Sequence, residues 1–356
     1  MDYAYCFSVV KGIQAGREYY IGMVPLKMLP YLFPNDEEYV LPEFRAQRKL
    51  NTARIPVISK YILQNRNDYV FSALAASIDG EFEFVPIDQN KSLGVLEVSI
   101  TARFLINDGQ HRKAAILEAI TEDETLKDET ISVVFFTDKN LARSQQIFTD
   151  LNKHAVKTSN SISELYDARD DLAVITRNVI RNIEFLNTYT DKEKDILGKY
   201  SSSLFTLNAF YSANKIIVGN KPENNCESFL LIFWESVTKH MRQWQELQNH
   251  IITKIDLRER FIVTQGIVIQ ALGRIGNYFY INKIENIDFA LSGLENINWS
   301  RSAKQWQMRA INANGRIITS KKAAMLIANI IKKEIRIPLS KEEKEAEKKL
   351  KNVLAE

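Results

Sequence analysis

Ile106-Asn107-Asp108-Gly109-Gln110-His111-Arg112-Lys113-Ala114-Ala115 contains the end of a strand, a turn and the start of a helix in direct succession. Upstream, Leu96, Val98 and Ile100 alternate with Glu97 and Ser99, the period of a half-buried strand. Downstream, Arg112 to Ile120 reads as a helix. Ile131 to Thr137 is a continuous apolar run, short enough to be a strand covered on both faces. Tyr3 to Val10 and Tyr19 to Val24 are rich in β-branched and aromatic residues and are broken by Gly12 and Gly16, which predicts two short strands around a turn. With a helix over Ile55 to Gln64, residues 1–158 form a mixed α/β core domain.

Beyond about residue 138 helical periodicity takes over. Leu141, Phe148 and Leu151 fall at near-helical spacing, and Ser161-Ile162-Ser163-Glu164 has the pattern of a capping box. That box opens a helix carrying Leu165, Leu172, Ile175, Val179 and Ile183. Leu230, Phe233, Trp234, Val237, Met241, Trp244 and Leu247 make the cleanest apolar stripe, read as core. Glu345 with Lys349 and Glu347 with Lys351 are i,i+4 pairs that mark a solvated last helix. The expected class is α+β: the core domain, then a mainly helical domain over 159–356.

The 356 residues carry 47 Lys and Arg against 44 Asp and Glu, a net charge of only +3, so the total announces no polyanionic partner. Two distant cysteines, Cys6 and Cys226, supply neither a zinc cluster nor a disulfide framework; they read as small hydrophobes, with a redox-sensing thiol as the alternative. The first residues lack the pattern of a secretory signal. The apolar stretch from Phe261 to Gly273 falls short of the ~20 residues of a membrane span. A cytoplasmic protein without a membrane partner is expected. No Walker A, HExxH or GxSxG pattern is present, and His154, His240 and His250 read as packed, surface or neighbouring imidazoles.

The near-neutral total hides segregation. No acid occurs from Phe44 to Asn67, where Arg45, Arg48, Lys49, Arg54, Lys60 and Arg66 lie. None occurs from Asn296 to Lys333 either, and Arg301, Lys304, Arg309, Arg316, Lys321, Lys322, Lys332 and Lys333 lie there among Trp299, Trp306, Gln307, Asn312 and Asn314. Acids gather in Glu118 to Glu129. Such clusters fit a phosphate backbone, with indoles to stack on bases, or simply a solvated basic face. Two helices, near Ser302 to Ile311 and Ser320 to Ile331, are expected in the second stretch, with Ser320 as N-cap.

In the turn, Gly109 permits a sharp bend, and the helix start offers free N–H groups and a positive dipole end. Arg112 can clamp a phosphate, His111 can move a proton, and Asp108 can cap the helix or hold a metal. A structural turn and a phosphate site are both open readings.

Asp108-Gly109-Gln110-His111-Arg112 resembles the signature of the DGQHR-domain proteins, and Gln146-Ile147-Phe148-Thr149-Asp150-Leu151-Asn152-Lys153-His154-Ala155-Val156-Lys157 is similar to their second block. The block from Gln47 to Pro56 and the region from Trp306 to Gly315 point within them to the DndB family of DNA phosphorothioate modification systems. More remotely, Gly109 to Ala115 is similar to the nucleotide turns of ParB-like proteins and sulfiredoxins, although Gln110 stands where sulfiredoxins carry their reactive cysteine.

The resemblance implies a double-stranded DNA-binding repressor of the modification genes, not a sulfur-transfer enzyme. The alternatives are a ParB-like NTP-binding or NTP-hydrolysing enzyme or nuclease, and a scaffold contacting other modification proteins. A nucleoside triphosphate, where bound, would meet Asp108, Gly109, Gln110, His111 and Arg112, with Asn152 and Lys153 as neighbours. DNA would meet Arg45, Arg48, Lys49, Arg54, Arg301, Lys304, Trp306, Arg309, Arg316, Lys321 and Lys322. No metal ligand and no catalytic residue is assigned. Leu350, Val353 and Leu354 hint at a homodimer contact.

Overall fold

The computed structural model describes residues 3–34, 50–87, 90–137, 141–153, 158–198, 200–219 and 225–355. The fold is α+β, in two compact units, Met1–Val156 and Lys157–Glu356.

The first unit is built on a seven-stranded sheet. β1 (Ala4–Gln14) and β2 (Arg17–Pro25) form a hairpin closed by Ala15 and Gly16 at φ 52° and 73°, the paired positive values that match strand twist. Gly12, expected at the turn, lies inside β1. Then come α1 (Leu29–Leu32), α2 (Ile55–Gln64), β3 (Leu74–Asp79), β4 (Phe82–Ile87), β5 (Asn90–Ser99) and β6 (Arg103–Asp108). α3 (Gln110–Glu122), β7 (Thr130–Phe136) and α4 (Leu141–Lys153) complete it. The strand order is β4-β5-β1-β2-β7-β3-β6, antiparallel except for the β3/β7 pair. β7 thus joins the β4-β5-β1-β2 group to the β3-β6 pair.

Alternation sets the faces. Phe7, Val9, Tyr20, Val24, Leu96, Val98, Val133 and Phe135 are buried with Leu29 and Leu32 of α1, Ile62 of α2 and Ile116 of α3. β7 is not covered equally on both sides: Ile131, Val133 and Phe135 are buried, whereas Ser132, Val134 and Phe136 are only half-buried. Its unbroken apolar run comes from its central place in the sheet.

The described residues of the second unit are mainly helical, with a two-residue ladder of β8 (Thr190–Asp191) and β9 (Phe205–Thr206). Its helices are α5 (Asn160–Tyr166), α6 (Asp171–Asn182), α7 (Glu184–Tyr189), α8 (Leu207–Val218), α9 (Cys226–His240), α10 (Arg242–Gln248), α11 (Lys254–Arg260), α12 (Gly266–Ile281), α13 (Ile287–Leu291), α14 (Lys321–Glu334) and α15 (Lys341–Ala355). The apolar stripe spans α9 and α10, and Trp234 and Trp244 are fully buried. α12 lies against α8 and α14. Gly273 lets α12 approach α8 closely, because a Cβ there would stand 2.9 Å from the Ala213 carbonyl oxygen.

The helix expected from Ser161 is two helices. Ser159 caps α5, accepting from the Ile162 N–H, and Asp170 caps α6, accepting from Leu172 and Ala173. Glu164 therefore closes no capping box; its Oε2 is buried with no hydrogen-bond partner. Burial, reinforced by the charges of Asp195 and Asp170, pushes its carboxyl up to about 7 from an ordinary 4.5. A raised carboxyl favours the protonated folded state, so stability is lost as pH rises from the ordinary value through the folded one. Glu164→Gln should raise the melting temperature by roughly 3 °C at pH 8, the scale of about 1 kcal/mol in a unit of this size, and leave it unchanged at pH 4. An equal shift at both pH values would assign the effect to packing.

Candidate nucleic-acid interface

Gly109 is the N-cap of α3 at φ 101°, and a Cβ there would lie 2.3 Å from Cδ2 of the buried Leu74. The close approach that glycine allows is to the protein's own core. Asp108 ends β6 and, rather than capping α3, accepts from Arg112 Nη2 at 2.7 Å. Arg112 Nη1 donates to the Ser72 carbonyl at 2.6 Å, to the Ser72 hydroxyl and to the Ala73 carbonyl at 3.1 Å. The guanidinium braces the approach to β3, which leaves the Arg112 phosphate clamp without its two-nitrogen fork. His111 Nε2 accepts the Asn51 backbone N–H at 3.0 Å, so the turn also anchors the start of the 50–54 segment. Gln110 opens α3, half-buried.

Asn107, which lies outside the expected site residues, is wholly buried and links three elements. Its amide accepts from Ser77 of β3 at 2.9 Å and donates to the Ser144 hydroxyl and carbonyl of α4 at 2.6 and 3.0 Å. It lies on the sheet face opposite Ile106, where α4 packs, and its only signal in the sequence is a polar residue directly after the apolar run Phe104-Leu105-Ile106. The Asp108 turn and the second block are therefore joined through Ser144. Asn152 lies eight residues further along α4, about 12 Å at the helical rise, and Lys153 is exposed at its end.

Of the first basic stretch, Arg45, Arg48 and Lys49 lie outside the described residues. Arg54 and Lys60 are exposed around α2, whereas Arg66 is neutralised by Asp123 at 2.8 Å and Glu129 at 2.6 Å, from the acidic segment.

In the second stretch the expected helix over Ser302 to Ile311 is a set of turns with a short 3-10 segment, Lys304–Trp306. Trp306 is fully buried, stacked on Trp299 with ring centroids 5.3 Å apart, and donates from Nε1 to the Asn298 carbonyl at 2.8 Å. Trp306 is core, not a base-stacking platform. Arg309 is also interior, paired with Glu347 at 2.5 Å and donating to the Leu326 carbonyl at 2.7 Å. In this arrangement it cannot reach DNA. α15 is not simply solvated: Glu345 does pair with Lys349, but Glu343 and Glu347 are buried and Leu350 packs on α14. Glu343, Ala346, Glu347 and Leu350 share one helical face, a spacing visible in the sequence.

Lys304, Arg316, Lys321 and Lys322 remain exposed, in no ion pair among the described residues; Arg301 is half-buried. Ser320 caps α14, as its sequence suggests, accepting from the Ala323 N–H at 3.1 Å. The family model for DndB, DNA-sulfur modification-associated, matches residues 7–338. The chain belongs to the DndB family. No curated protein and no solved structure matches it.

DndB membership ties the chain to DNA sulfur modification. Persulfide transfer would need an activated thiolate, and burial pushes the Cys226 thiol up, away from that state; Cys6 is an exposed free thiol on β1. His240 is packed, its Nδ1 2.6 Å from Glu295 and its Nε2 3.0 Å from Asp288. Among the described residues no cluster of His, Cys, Asp and Glu could hold a metal ion, and no helix is long and apolar enough to cross a membrane.

Proposed function

We propose that the protein is a cytoplasmic DNA-binding regulator that represses the gene cluster for DNA phosphorothioate modification. It grips the double-stranded promoter through Arg301, Lys304, Arg316, Lys321 and Lys322 of the helical unit. The observation that carries this reading is the start of α14. Lys321 and Lys322 sit in its first turn, beside the positive end of the helix dipole, and no acid lies there. Two exposed cations at that end repel the dipole and each other. A phosphate placed there relieves both costs and meets the free N–H groups of the first turn. Arg316 lies in the exposed loop just before the cap.

The test is the triple variant Arg316→Glu, Lys321→Glu, Lys322→Glu, titrated in gel shifts against a duplex from the modification promoter over a range of salt. Affinity should fall about 100-fold or more at ~0.1 M salt. The slope of log affinity on log salt should become shallower by about 2.7, three phosphate contacts at ~0.9 each. A folded variant with wild-type affinity and slope removes the assigned patch.

A further inference from the structure

α15 meets the rest of its unit mainly through charge. Glu347 accepts from Arg309 Nη1 and Nη2 at 2.5 and 2.8 Å, from Asn329 Nδ2 at 2.9 Å and from Lys333 Nζ at 3.4 Å. Glu343 accepts from Lys332 Nζ at 2.7 and 2.9 Å and from the Ser340 N–H at 2.9 Å. Burial opposes charge on Glu347, but the bonds from Arg309 and Asn329 prevail and hold it down at about 2, so it is a carboxylate at neutral pH. The apolar share is small: Ala346 and Leu350 against Met325 and Leu326, with Met308 at the margin.

A buried ion pair returns little more than its desolvation cost unless every remaining polar atom is satisfied. Here Asn329 Oδ1 is buried without a partner. α15 is therefore held less firmly than the helices around the Trp234 core, whose contacts are mainly apolar and whose buried Trp234–Asn214–Thr176 hydrogen bonds are all within that core. The donors it covers suit another anion. A forked guanidinium flanked by ammonium groups binds phosphate oxygens as it binds carboxylate oxygens. Arg309, Lys332 and Lys333 also belong to the acid-free segment and lie inside the family match, which stops at residue 338, short of Lys341 where α15 begins.

We propose that α15 is an acidic strap in the place of a nucleic-acid backbone: Glu343 and Glu347 fill a groove of Arg309, Lys332 and Lys333 that takes phosphodiester oxygens when the helix lifts away. This rests on the DNA-binding reading above. Strap and duplex compete for the same cations, so the chain with α15 docked is the weaker binder.

The experiment compares the full chain with its Glu343→Gln/Glu347→Gln double variant and with Leu350→Ser, which loosens the strap while keeping every charged group. Binding of a fluorescent promoter duplex is titrated across salt, and circular dichroism verifies folding. Both variants should bind about tenfold tighter or more, with a salt slope steeper by ~2–3, as three further cations displace counterions. In the wild-type chain, amide exchange in α15 should quicken when duplex is added. Folded variants with wild-type affinity and slope, or an α15 protected by duplex, overturn the strap while leaving the DNA reading intact. If no chain binds duplex at low salt, the DNA reading itself fails and takes the strap with it.

Discussion

Gly109→Ala should cost the first unit about 3 kcal/mol and lower its melting temperature by roughly 10 °C. Two effects add. At φ 101° an L side chain is strained, and the new methyl would stand 2.3 Å from Cδ2 of the fully buried Leu74, which would have to shift against its packed neighbours. Arg112 adds to the crowding, with Nη2 at 3.2 Å from the same point. Hydrogen exchange should show the loss first in β3 and β6, which pair beside the turn. The outcome separates the two readings of this glycine. Were it kept for the approach of a ligand, alanine would reduce binding and spare the melt; wild-type stability would therefore contradict the brace described for Leu74 and Arg112.

Trp306→Ala should be comparably severe in the second unit, about 3–5 kcal/mol, the range for emptying a large aromatic from a core. The side chain has no exposed surface, stacks on Trp299 and gives its N–H to Asn298, so truncation leaves a cavity and removes one of the two hydrogen bonds to that carbonyl, the other coming from Gln305 at 2.9 Å. A chemical melt should show the midpoint fall, and DNA affinity should follow the folded fraction. A variant of wild-type stability that had lost affinity would restore Trp306 to the nucleic-acid surface.

Trp306 also shows where sequence reading stops. An indole between cations gives the same linear pattern whether it faces a base or a core, and only the stacking against Trp299 decides. The burial of Arg309 is hidden for a related reason: its partner Glu347 is 38 residues away, and an acid-free run shows charge along the chain, not across space. Local signals were read more faithfully. The helix of Ile55 to Gln64 matches residue for residue, the strand–turn–helix around Asp108 is as expected, and the stripe from Leu230 to Leu247 is core. Boundaries set by side-chain capping were less visible: Asp170 starts a new helix where periodicity alone ran on. β3, Leu-Ala-Ala-Ser-Ile-Asp, carries two alanines and a serine and gives little strand signal, so its pairing with β7 was legible only in three dimensions.

That pairing determines when the sheet can close during synthesis. Strands β1, β2, β4 and β5 make one ribbon and β3 with β6 another, and both wait for Thr130–Phe136 to leave the ribosome before they can join. Until then the β2 and β3 edges face water unpaired, which makes the nascent chain open to edge-to-edge association at the stage just before the helical unit is made.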